Sequence, residues 1–242
     1  MYKLKKIIPA PLRLFYRINQ RRCKDIFNGT HKKFARQFLN EHEFSLIVTI
    51  DQPVKLTYTS VNKIHNLSLA LIKLNNIIIQ PGEIFSFWKL VGNPSQKNGY
   101  KKSRSIINGE VEAAIGGGLC QLSGLIYFLA IQAGLKITER HAHSIDIYKE
   151  EERFTPLGSD ATVAYGYKDI RFINKYDFPV ALRFQLTNDI LTGDLLANEK
   201  IAPCKIKFEY NTSGMYTYCN TLWEKNGQSD VICSNRYKKL SM

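Results

Sequence analysis

A run of three consecutive glycines constrains this chain more than any other feature. The run comprises Gly116, Gly117 and Gly118. Glycine adopts left-handed backbone conformations readily and leaves room for a close approach, so the run predicts a sharp turn against another molecule. Apolar residues then recur at helical spacing from Leu119 to Ala133, which predicts a helix that begins directly after the turn and ends near Gly134.

A cysteine, Cys120, lies in the first turn of this predicted helix. The unpaired N–H groups there carry partial positive charge, which favours the thiolate. His143 and Asp160 follow along the chain, and this order predicts Cys120 as a nucleophile, His143 as its base and Asp160 as the residue that orients the imidazole. The backbone N–H of Cys120 and the side chain of Gln121 would then stabilise an oxyanion.

Other polar residues near these motifs extend the site to candidate substrate contacts. Besides the three glycines, we include Ser123, Glu139, Arg140, His141 and Asp169. Asp169 is a second choice for the orienting carboxylate. Glu110 and Glu112, which precede the glycines, would meet a cationic group of a substrate.

Two other interpretations of the same residues stay open. A strand predicted over residues 135–147 would place His141 and His143 on one face. With Cys120 and Asp160 they would complete a four-ligand metal site. Alternatively, the glycine turn binds a carboxylate or a peptide end, and Cys120 is an inert packed thiol. The leading interpretation requires neither a metal nor a cofactor.

Basic residues are concentrated at one end of this 242-residue chain, whose net charge is +13. Residues 1–36 hold eleven lysines and arginines against one acidic residue, Asp25, whereas the remainder is nearly neutral. Apolar residues alternate with arginines between Ile7 and Ile18. This predicts an amphipathic helix after Pro11 that lies either on an anionic membrane surface or on the body of the protein. No nucleic-acid-binding pattern is present, so we expect no specific nucleic-acid partner.

The chain has neither a spanning segment nor a signal peptide in its sequence pattern. No stretch reaches the roughly 18–20 apolar residues of a membrane-spanning helix, and arginines interrupt the apolar part of the N-terminus. The five cysteines show no Cys-x-x-Cys spacing. We expect Cys219 and Cys233, which would face each other across a hairpin, to stay reduced. The expected location is the cytoplasm, either free or peripheral on the inner membrane face.

The order of the predicted elements indicates an α+β fold, with one central helix packed on an antiparallel sheet. A helix is predicted over residues 61–74, a polar surface loop over 92–107, and strands over 44–50, 77–79, 161–165, 170–173, 178–186 and 190–196. Residues 205–218 and 221–233 predict one more hairpin, with its turn at 225–227. These elements divide the chain into a basic segment (1–42), a main domain (43–200) and a C-terminal β-hairpin extension (201–242).

Four short segments together resemble the VanW family, accessory proteins associated with vancomycin-resistance clusters in Gram-positive bacteria. The segments are Pro-Gly-Glu-Ile-Phe-Ser-Phe-Trp at 81–88, Gly-Gly-Gly-Leu-Cys-Gln-Leu-Ser at 116–123, Glu-Arg-His-Ala-His at 139–143, and Asp-Ala-Thr-Val at 160–163. Asp169 follows the last of them. The resemblance implies a cell-envelope context, and it matches His143 rather than His141 to the recurring histidine of the family.

The residues and the resemblance favour a cysteine-dependent acyl-transfer or amide-cleaving enzyme that acts on a peptide or a cell-wall precursor. The order of helix with Cys, strand with His and strand with Asp is similar to that of papain-like and transglutaminase-like folds. The rival interpretation is a non-catalytic accessory protein that binds a peptide or a carboxylate.

Overall fold

The protein has a mixed α+β architecture. The computed structural model describes residues 8–39, 44–55, 60–107, 110–146, 153–187, 189–225 and 227–239. The helices are α1 (Ala10–Phe27), α2 (Ser60–Leu74), α3 (Phe87–Val91) and α4 (Leu119–Gln132). The strands are β1 (Gln37–Phe38), β2 (Ser45–Pro53), β3 (Ile77–Ile79), β4 (Ile84–Ser86), β5 (Lys102–Ile107), β6 (Glu110–Ile115), β7 (Lys136–Glu139), β8 (Ile145–Asp146), β9 (Arg171–Ile173), β10 (Val180–Thr187), β11 (Ile190–Ala197), β12 (Lys205–Ser213), β13 (Tyr216–Lys225) and β14 (Gln228–Lys239).

The core lies between helix α4 and a five-stranded antiparallel sheet. The strand order is β1–β3–β10–β11–β2, and α4 contacts β11 and β2. A Cβ atom at Gly193 of β11 would lie 2.9 Å from side-chain atoms of Leu125 and Leu129, so glycine permits the close packing of helix on strand. Both leucines are fully buried, and each contributes roughly 1.5–3 kcal/mol through burial. This packing fixes the position of the helix that carries Cys120.

Several predicted elements are confirmed by the structure. Helix α2 and strand β3 match the predicted helix and short buried strand. Strands β10 and β11 form the predicted hairpin, paired from Val180↔Ala197 to Thr187↔Ile190. Strand β2 runs further than predicted, because its last residues, up to Pro53, continue to pair with β11.

Each of the three glycines before α4 has a local structural reason. Gly116 and Gly118 have positive φ values of 78° and 102°, a conformation that side chains with a Cβ atom disfavour. Gly117 has a different constraint, since a Cβ atom there would lie 2.4 Å from the carbonyl oxygen of Ser103 on β5. The close neighbour of the turn is therefore another part of the same chain.

The prediction of a polar loop over residues 92–107 was wrong at its C-terminal end. Strand β5 pairs with β6 in a hairpin, from Lys102↔Ile115 to Ile107↔Glu110. Lys102 is exposed and Ser103 is a small polar residue that is buried. The first half of the strand therefore lacks the apolar alternation by which strands are recognised.

The prediction of one strand over residues 135–147 was also wrong, because the chain leaves the sheet between β7 and β8. The carbonyl of His141 accepts a hydrogen bond from the backbone N–H of Thr162 at 2.7 Å. The backbone N–H of His143 donates to Oδ2 of Asp160 at 2.7 Å. His141 and His143 therefore do not share the face of a strand. Residues 161–165 form no strand either, apart from an isolated bridge between Ala164 and Lys168.

The C-terminal region contains three strands rather than the single hairpin predicted. Strands β12, β13 and β14 form an antiparallel meander, whose first connection lies at Gly214 and Met215. Strand β14 also pairs in parallel with β8, at Lys238↔Ile145 and Lys239↔Asp146. The domain division at residue 200 stays a prediction, but strand β14 lies directly beside the segment that carries His143.

Helix α1 lies on the body of the protein and extends to Phe27. A buried side chain, Asp25, pairs with Arg171 at 2.7 Å, and Arg21 pairs with Glu139 at 2.6 Å. The proline-containing first turn is typical of a helix N-terminus, where the missing N–H costs nothing. In the described part of the chain, no helix combines the length and the apolarity needed to cross a membrane.

Candidate active site

Cys120 is the second residue of α4 and is partly buried. Its Sγ lies 3.5 Å from Oγ1 of Thr162 and 3.7 Å from the carbonyl oxygen of Val163. The hydrogen-bonding and charge influence of the nearby His143 imidazole lowers the pKa of the thiol. The N–H groups in the first turn of a helix have no partner within the helix. The sulfur therefore lies at the positive end of α4 and beside a base.

His143 is held in a defined orientation between Cys120 and Asp160. Its Nδ1 lies 2.8 Å from Oδ2 of Asp160, and its backbone N–H donates to the same oxygen. Because Nδ1 faces the carboxylate, Nε2 is the ring nitrogen that remains for the sulfur. Cys120, His143 and Asp160 thus interact in series, since Asp160 binds the imidazole and the imidazole lowers the pKa of the thiol.

Asp160 accepts hydrogen bonds at both carboxylate oxygens. Besides the two bonds from His143, its Oδ1 accepts from Tyr237 Oη at 2.6 Å and from Arg140 Nη2 at 3.0 Å. Burial alone would raise the pKa of Asp160, but the hydrogen bond from His143 and the charge of Arg140 hold it well below the usual range. The carboxylate is therefore ionised at neutral pH.

The electrostatics of the site favour a thiolate–imidazolium pair. Burial alone would raise the pKa of Cys120, but the hydrogen bond and charge of His143, together with the Thr162 hydroxyl, lower it. Burial alone would lower the pKa of His143, whereas its contacts with Asp160 and Cys120 raise it. Since one pKa falls while the other rises, the charged pair is stabilised over the neutral pair. A thiolate is the nucleophilic form of cysteine.

Arg140 contacts several residues around Asp160. Its guanidinium lies 4.8 Å from the ring centroid of Tyr127, and its Nη1 donates to Oδ1 of Asn235 at 2.6 Å. Further bonds reach the carbonyl oxygens of Asp160 and Gly158. Arg140 therefore positions Asp160 rather than contacting a substrate. The sequence did not identify Tyr237 or Asn235, because nothing local to β14 shows that this strand pairs beside His143.

A cavity of about 170 Å³ opens beside Cys120. Its wall is formed by residues from β2, α2, β5, the start of α4 and β14. Residues from two further segments, 143–146 and 153–160, complete the wall. The lining residues include Gln52, Lys63, Arg104, Cys120, His143 and Asp160. Because Cys120 is one of the lining residues, a ligand of moderate size in this cavity would lie beside it.

The structure brings some of the predicted site residues to the cavity and places others elsewhere. Gly118 and Gln121 line the cavity together with Cys120, His143 and Asp160. The Nε2 of Gln121 donates to the carbonyl oxygen of Pro53 at 3.0 Å. Gly116 and Gly117 do not line the cavity. Ser123 is buried and donates to the carbonyl oxygen of Ala161 at 2.6 Å, so it ties α4 to the segment after Asp160.

Glu139, His141 and Asp169 lie in a second cluster, under helix α1. Glu139 binds Arg21 and lies 3.1 Å from Nε2 of His141. Oδ2 of Asp169 accepts hydrogen bonds from Ser86 at 2.6 Å and from Arg171 at 2.9 Å. None of the three lines the cavity. Glu112 is exposed on β6, and the side chain of Glu110 lies outside the described residues.

The two histidines therefore have separate partners, whereas the metal interpretation places both of them in one site. His143 binds Asp160, whereas His141 faces Glu139. Within the residues that the structure describes, no three His, Cys, Asp or Glu side chains are grouped so that they could hold a metal ion.

Fold and site together define an α+β protein with a Cys–His–Asp cluster at a cavity. The chain belongs to the VanW family, since the family model described as VanW like protein matches residues 62–196. It is 32% identical over 163 residues to the vancomycin B-type resistance protein VanW of Enterococcus faecalis, a match that covers 65% of this chain and 59% of that protein. It is 37% identical over 157 residues to the uncharacterized protein YoaR of Bacillus subtilis, covering 61% of this chain and 50% of that protein.

The chain thus spans about half to three fifths of the length of these curated relatives. All three central residues, Cys120, His143 and Asp160, lie inside the matched family region. No solved structure matches the chain.

Proposed function

We propose that this protein is a cysteine-dependent enzyme that cleaves amide bonds or transfers acyl groups, with a peptide or a cell-wall precursor as its substrate. The observation that carries the proposal is the arrangement of Cys120, His143 and Asp160 at the wall of a cavity, in which Asp160 binds the imidazole and the imidazole lowers the pKa of the thiol. Nucleophile, base and orienting carboxylate in this arrangement are the recurring parts of covalent acyl transfer.

In the proposed reaction the Cys120 thiolate attacks the carbonyl carbon of the amide and forms a C–S bond. The helix N-terminus, with the backbone N–H of Cys120, stabilises the negative charge that develops on the carbonyl oxygen. When the C–N bond breaks, the His143 imidazolium donates its proton to the leaving amine. Water or an acceptor amine then attacks the thioester, His143 takes its proton, and the Cys120 thiolate is released.

The relatives suggest the kind of substrate. The Enterococcus protein is named for vancomycin resistance, which concerns the bacterial cell wall, and a peptide from that pathway contains the amide bonds on which this chemistry acts. The order of elements around the site, helix with Cys before the segments with His and Asp, supports a comparison with papain-like enzymes as an analogy.

The pH dependence of alkylation tests whether Cys120 is an activated thiol. We expect iodoacetamide to modify Cys120 at a pH where ordinary thiols are protonated, because its pKa is lowered, and the rate to fall only as the pH drops through that lowered pKa. His143→Asn removes the cation and should shift the profile to higher pH. The exposed Cys23 serves as an internal control. Equal profiles for Cys120 and Cys23 would contradict the proposal.

Product formation distinguishes the enzyme from a binding protein. Wild-type protein and the Cys120→Ser variant are incubated with muropeptides, and products and acyl-enzyme are followed by mass spectrometry. We expect product and a thioester adduct from the wild type alone. A non-catalytic accessory protein would instead retain its cellular phenotype with Cys120→Ser.

We also propose that helix α1 binds the surface of an anionic membrane, which would place the protein at the inner membrane face. One side of the helix docks on the body through Asp25 and Arg21. The other side exposes a set of apolar residues: Leu12, Phe15, Tyr16, Ile26 and Phe27. Exposed arginines and lysines flank this set, and the basic charge of residues 1–36 is complementary to acidic lipids.

A further inference from the structure

Positive side chains line one wall of the cavity beside Cys120. Lys63 from α2 and Arg104 from β5 both reach this wall. The stem of Lys63 crosses the turn that precedes the cysteine, since a Cβ atom at Gly118 would lie 2.7 Å from Cγ of Lys63. The lysine is thus fixed beside the proposed nucleophile by packing.

The charge on Lys63 is not compensated within the described residues. Burial and the neighbouring charge of Arg104 lower the pKa of Lys63 to about 8. Among the described residues Lys63 has no ion-pair partner. The acidic groups of the cavity wall are engaged elsewhere, because Asp146 pairs with Arg153, and Asp160 with His143. An anion placed between Lys63 and Arg104 would relieve their repulsion.

A second, independent feature is a buried side chain of β2 that also lines the cavity. Gln52 of β2 lines the same cavity and is only 3% exposed. Its Oε1 is buried and has no hydrogen-bond donor among the described residues. Leaving a buried acceptor without a donor is unfavourable, so an N–H group of a ligand that reached this oxygen would remove that cost. An amide N–H is the donor that a peptide supplies.

We infer that the cavity binds an acidic peptide, with a ligand carboxylate held by Lys63 and Arg104 and a ligand amide N–H donated to Gln52. This inference rests on the proposed function, since it names the substrate class of the same site. The peptide approaches Cys120 with its negative group on the side of α2 and β5.

Two alkylating reagents of similar size test the positive wall without any knowledge of the substrate. Iodoacetate carries a carboxylate and iodoacetamide does not, yet both react with the same thiolate. Both rates are proportional to the fraction of Cys120 that is thiolate, so this fraction cancels in the ratio of the two rates. Relative to the ratio for a free cysteine peptide, we expect iodoacetate to be favoured roughly three- to tenfold at wild-type Cys120. Lys63→Met should abolish this preference and Lys63→Arg should retain it.

A matched control is Lys136→Met, which removes an exposed lysine of β7 and should leave the ratio unchanged. Rapid reaction with iodoacetamide but no preference for iodoacetate would overturn the acidic-peptide assignment and leave the activated thiol intact. Slow reaction with both reagents would instead count against the proposed function.

Binding to a protein without its nucleophile provides a second measurement. In the Cys120→Ser background, N-acetylglycylglycine and its terminal amide are compared by thermal shift and by NMR titration. We expect the acid to bind at least fivefold more tightly than the amide, and both Lys63→Met and Gln52→Leu to weaken it. Equal binding of acid and amide, or no binding of either in folded protein, would overturn the inference.

Discussion

At the scale of single residues, Asp160 controls the chemistry of a sulfur that it does not touch. The carboxylate stabilises the imidazolium form of His143, and that cation lowers the pKa of Cys120. Four hydrogen bonds from His143, Arg140 and Tyr237 fix the carboxylate in turn. The ionisation of Cys120 therefore depends on residues from three separate parts of the chain.

Asp160→Asn should slow the alkylation of Cys120. Without the carboxylate, the pKa of His143 falls and that of Cys120 rises, so less thiolate is present near neutral pH. A pKa change of one corresponds to a tenfold change in the thiolate fraction below the pKa, and we expect iodoacetamide to react about tenfold more slowly at pH 6. The rate is measured by mass spectrometry of samples that are quenched at successive times.

The matched control is Thr162→Val, which removes only the hydroxyl 3.5 Å from the sulfur. Its effect should be smaller than that of Asp160→Asn. If both variants slowed the reaction equally, the carboxylate would have no special role.

At the scale of elements, helix α1 is attached to the body by a cluster of buried charges. Arg171 contacts Asp25 and Asp169 at 2.7 and 2.9 Å, with side chains that are 14%, 7% and 1% exposed. Burial is the largest influence on Asp169 and raises its pKa. A buried pair contributes little by itself, but removing one partner leaves an uncompensated charge. The docking of α1 is therefore sensitive to single changes.

Arg171→Met should destabilise the protein strongly. The substitution leaves Asp25 and Asp169 without their main counter-charge, and the free energy of unfolding should fall by about 3 kcal/mol. Urea denaturation measures it. Arg183→Met breaks a half-exposed pair with Asp194 and should cost less than about 1 kcal/mol. A loss of similar size in the two variants would show that the cluster under α1 contributes no more than a surface pair.

Sedimentation with vesicles tests the membrane proposal for α1. We expect the protein to bind vesicles containing phosphatidylglycerol, to bind pure phosphatidylcholine weakly, and to dissociate as salt rises. Leu12→Ser combined with Phe15→Ser should weaken binding at least tenfold. The reason is that each apolar side chain buried in the membrane contributes roughly 1.5 kcal/mol or more to the binding free energy.

Ile72→Ser is the control, because Ile72 is 78% exposed on α2 rather than α1. Unchanged vesicle binding by the α1 double variant would refute the proposal. Loss of self-association in that variant, without any lipid binding in the wild type, would show that the apolar face contacts a second copy instead.

At the scale of the whole molecule, the C-terminal sheet participates in the site. Tyr237 on β14 is 1% exposed and donates to Asp160, and Asn235 accepts a hydrogen bond from Arg140. The predicted division at residue 200 would separate these residues from Cys120, His143 and Asp160. The hydrogen bonds that hold Asp160 and Arg140 in place are therefore completed by a region that follows the matched family segment.

Tyr237→Phe should weaken both stability and site geometry. It removes a hydrogen bond to a charged acceptor, which is worth about 1.5 kcal/mol or somewhat more in the free energy of unfolding. Thermal and urea denaturation measure this loss, and the alkylation rate of Cys120 should fall modestly. Tyr218→Phe, at a residue that is 43% exposed, should change stability by less than about 0.5 kcal/mol. Equal stability of both variants would rule out the contact to Asp160 as a stabilising interaction.

The sequence could predict the centre of the site because its signals are local. The glycine run and the apolar periodicity place Cys120 at the start of a helix, and His143 and Asp160 stand out as the titratable residues that follow. The prediction of their strands was wrong, because the backbone near His143 bonds to Asp160 and Thr162 rather than to a sheet. The side chains of His143 and Asp160 lie in contact, although the secondary structure around them differs from the prediction.

The remaining parts of the site depend on contacts between distant segments. Gln52, Lys63 and Tyr237 reach the cavity from β2, α2 and β14, and no local pattern indicates that these elements meet. Strand β5 was hard to predict for a related reason. Its first four side chains are polar, so its sequence lacks the alternation that burial of one face imposes.

The parallel pairing of β14 with β8 has a practical consequence. The backbone N–H of Lys238 donates to the carbonyl of Ser144, and Lys239 pairs with Asp146, three residues beyond His143. A fluorophore attached at position 239 would therefore lie beside β8, whose residues Ile145 and Asp146 line the cavity. Such a label could signal the arrival of a ligand in real time, and the same position is a poor choice for a bulky purification tag.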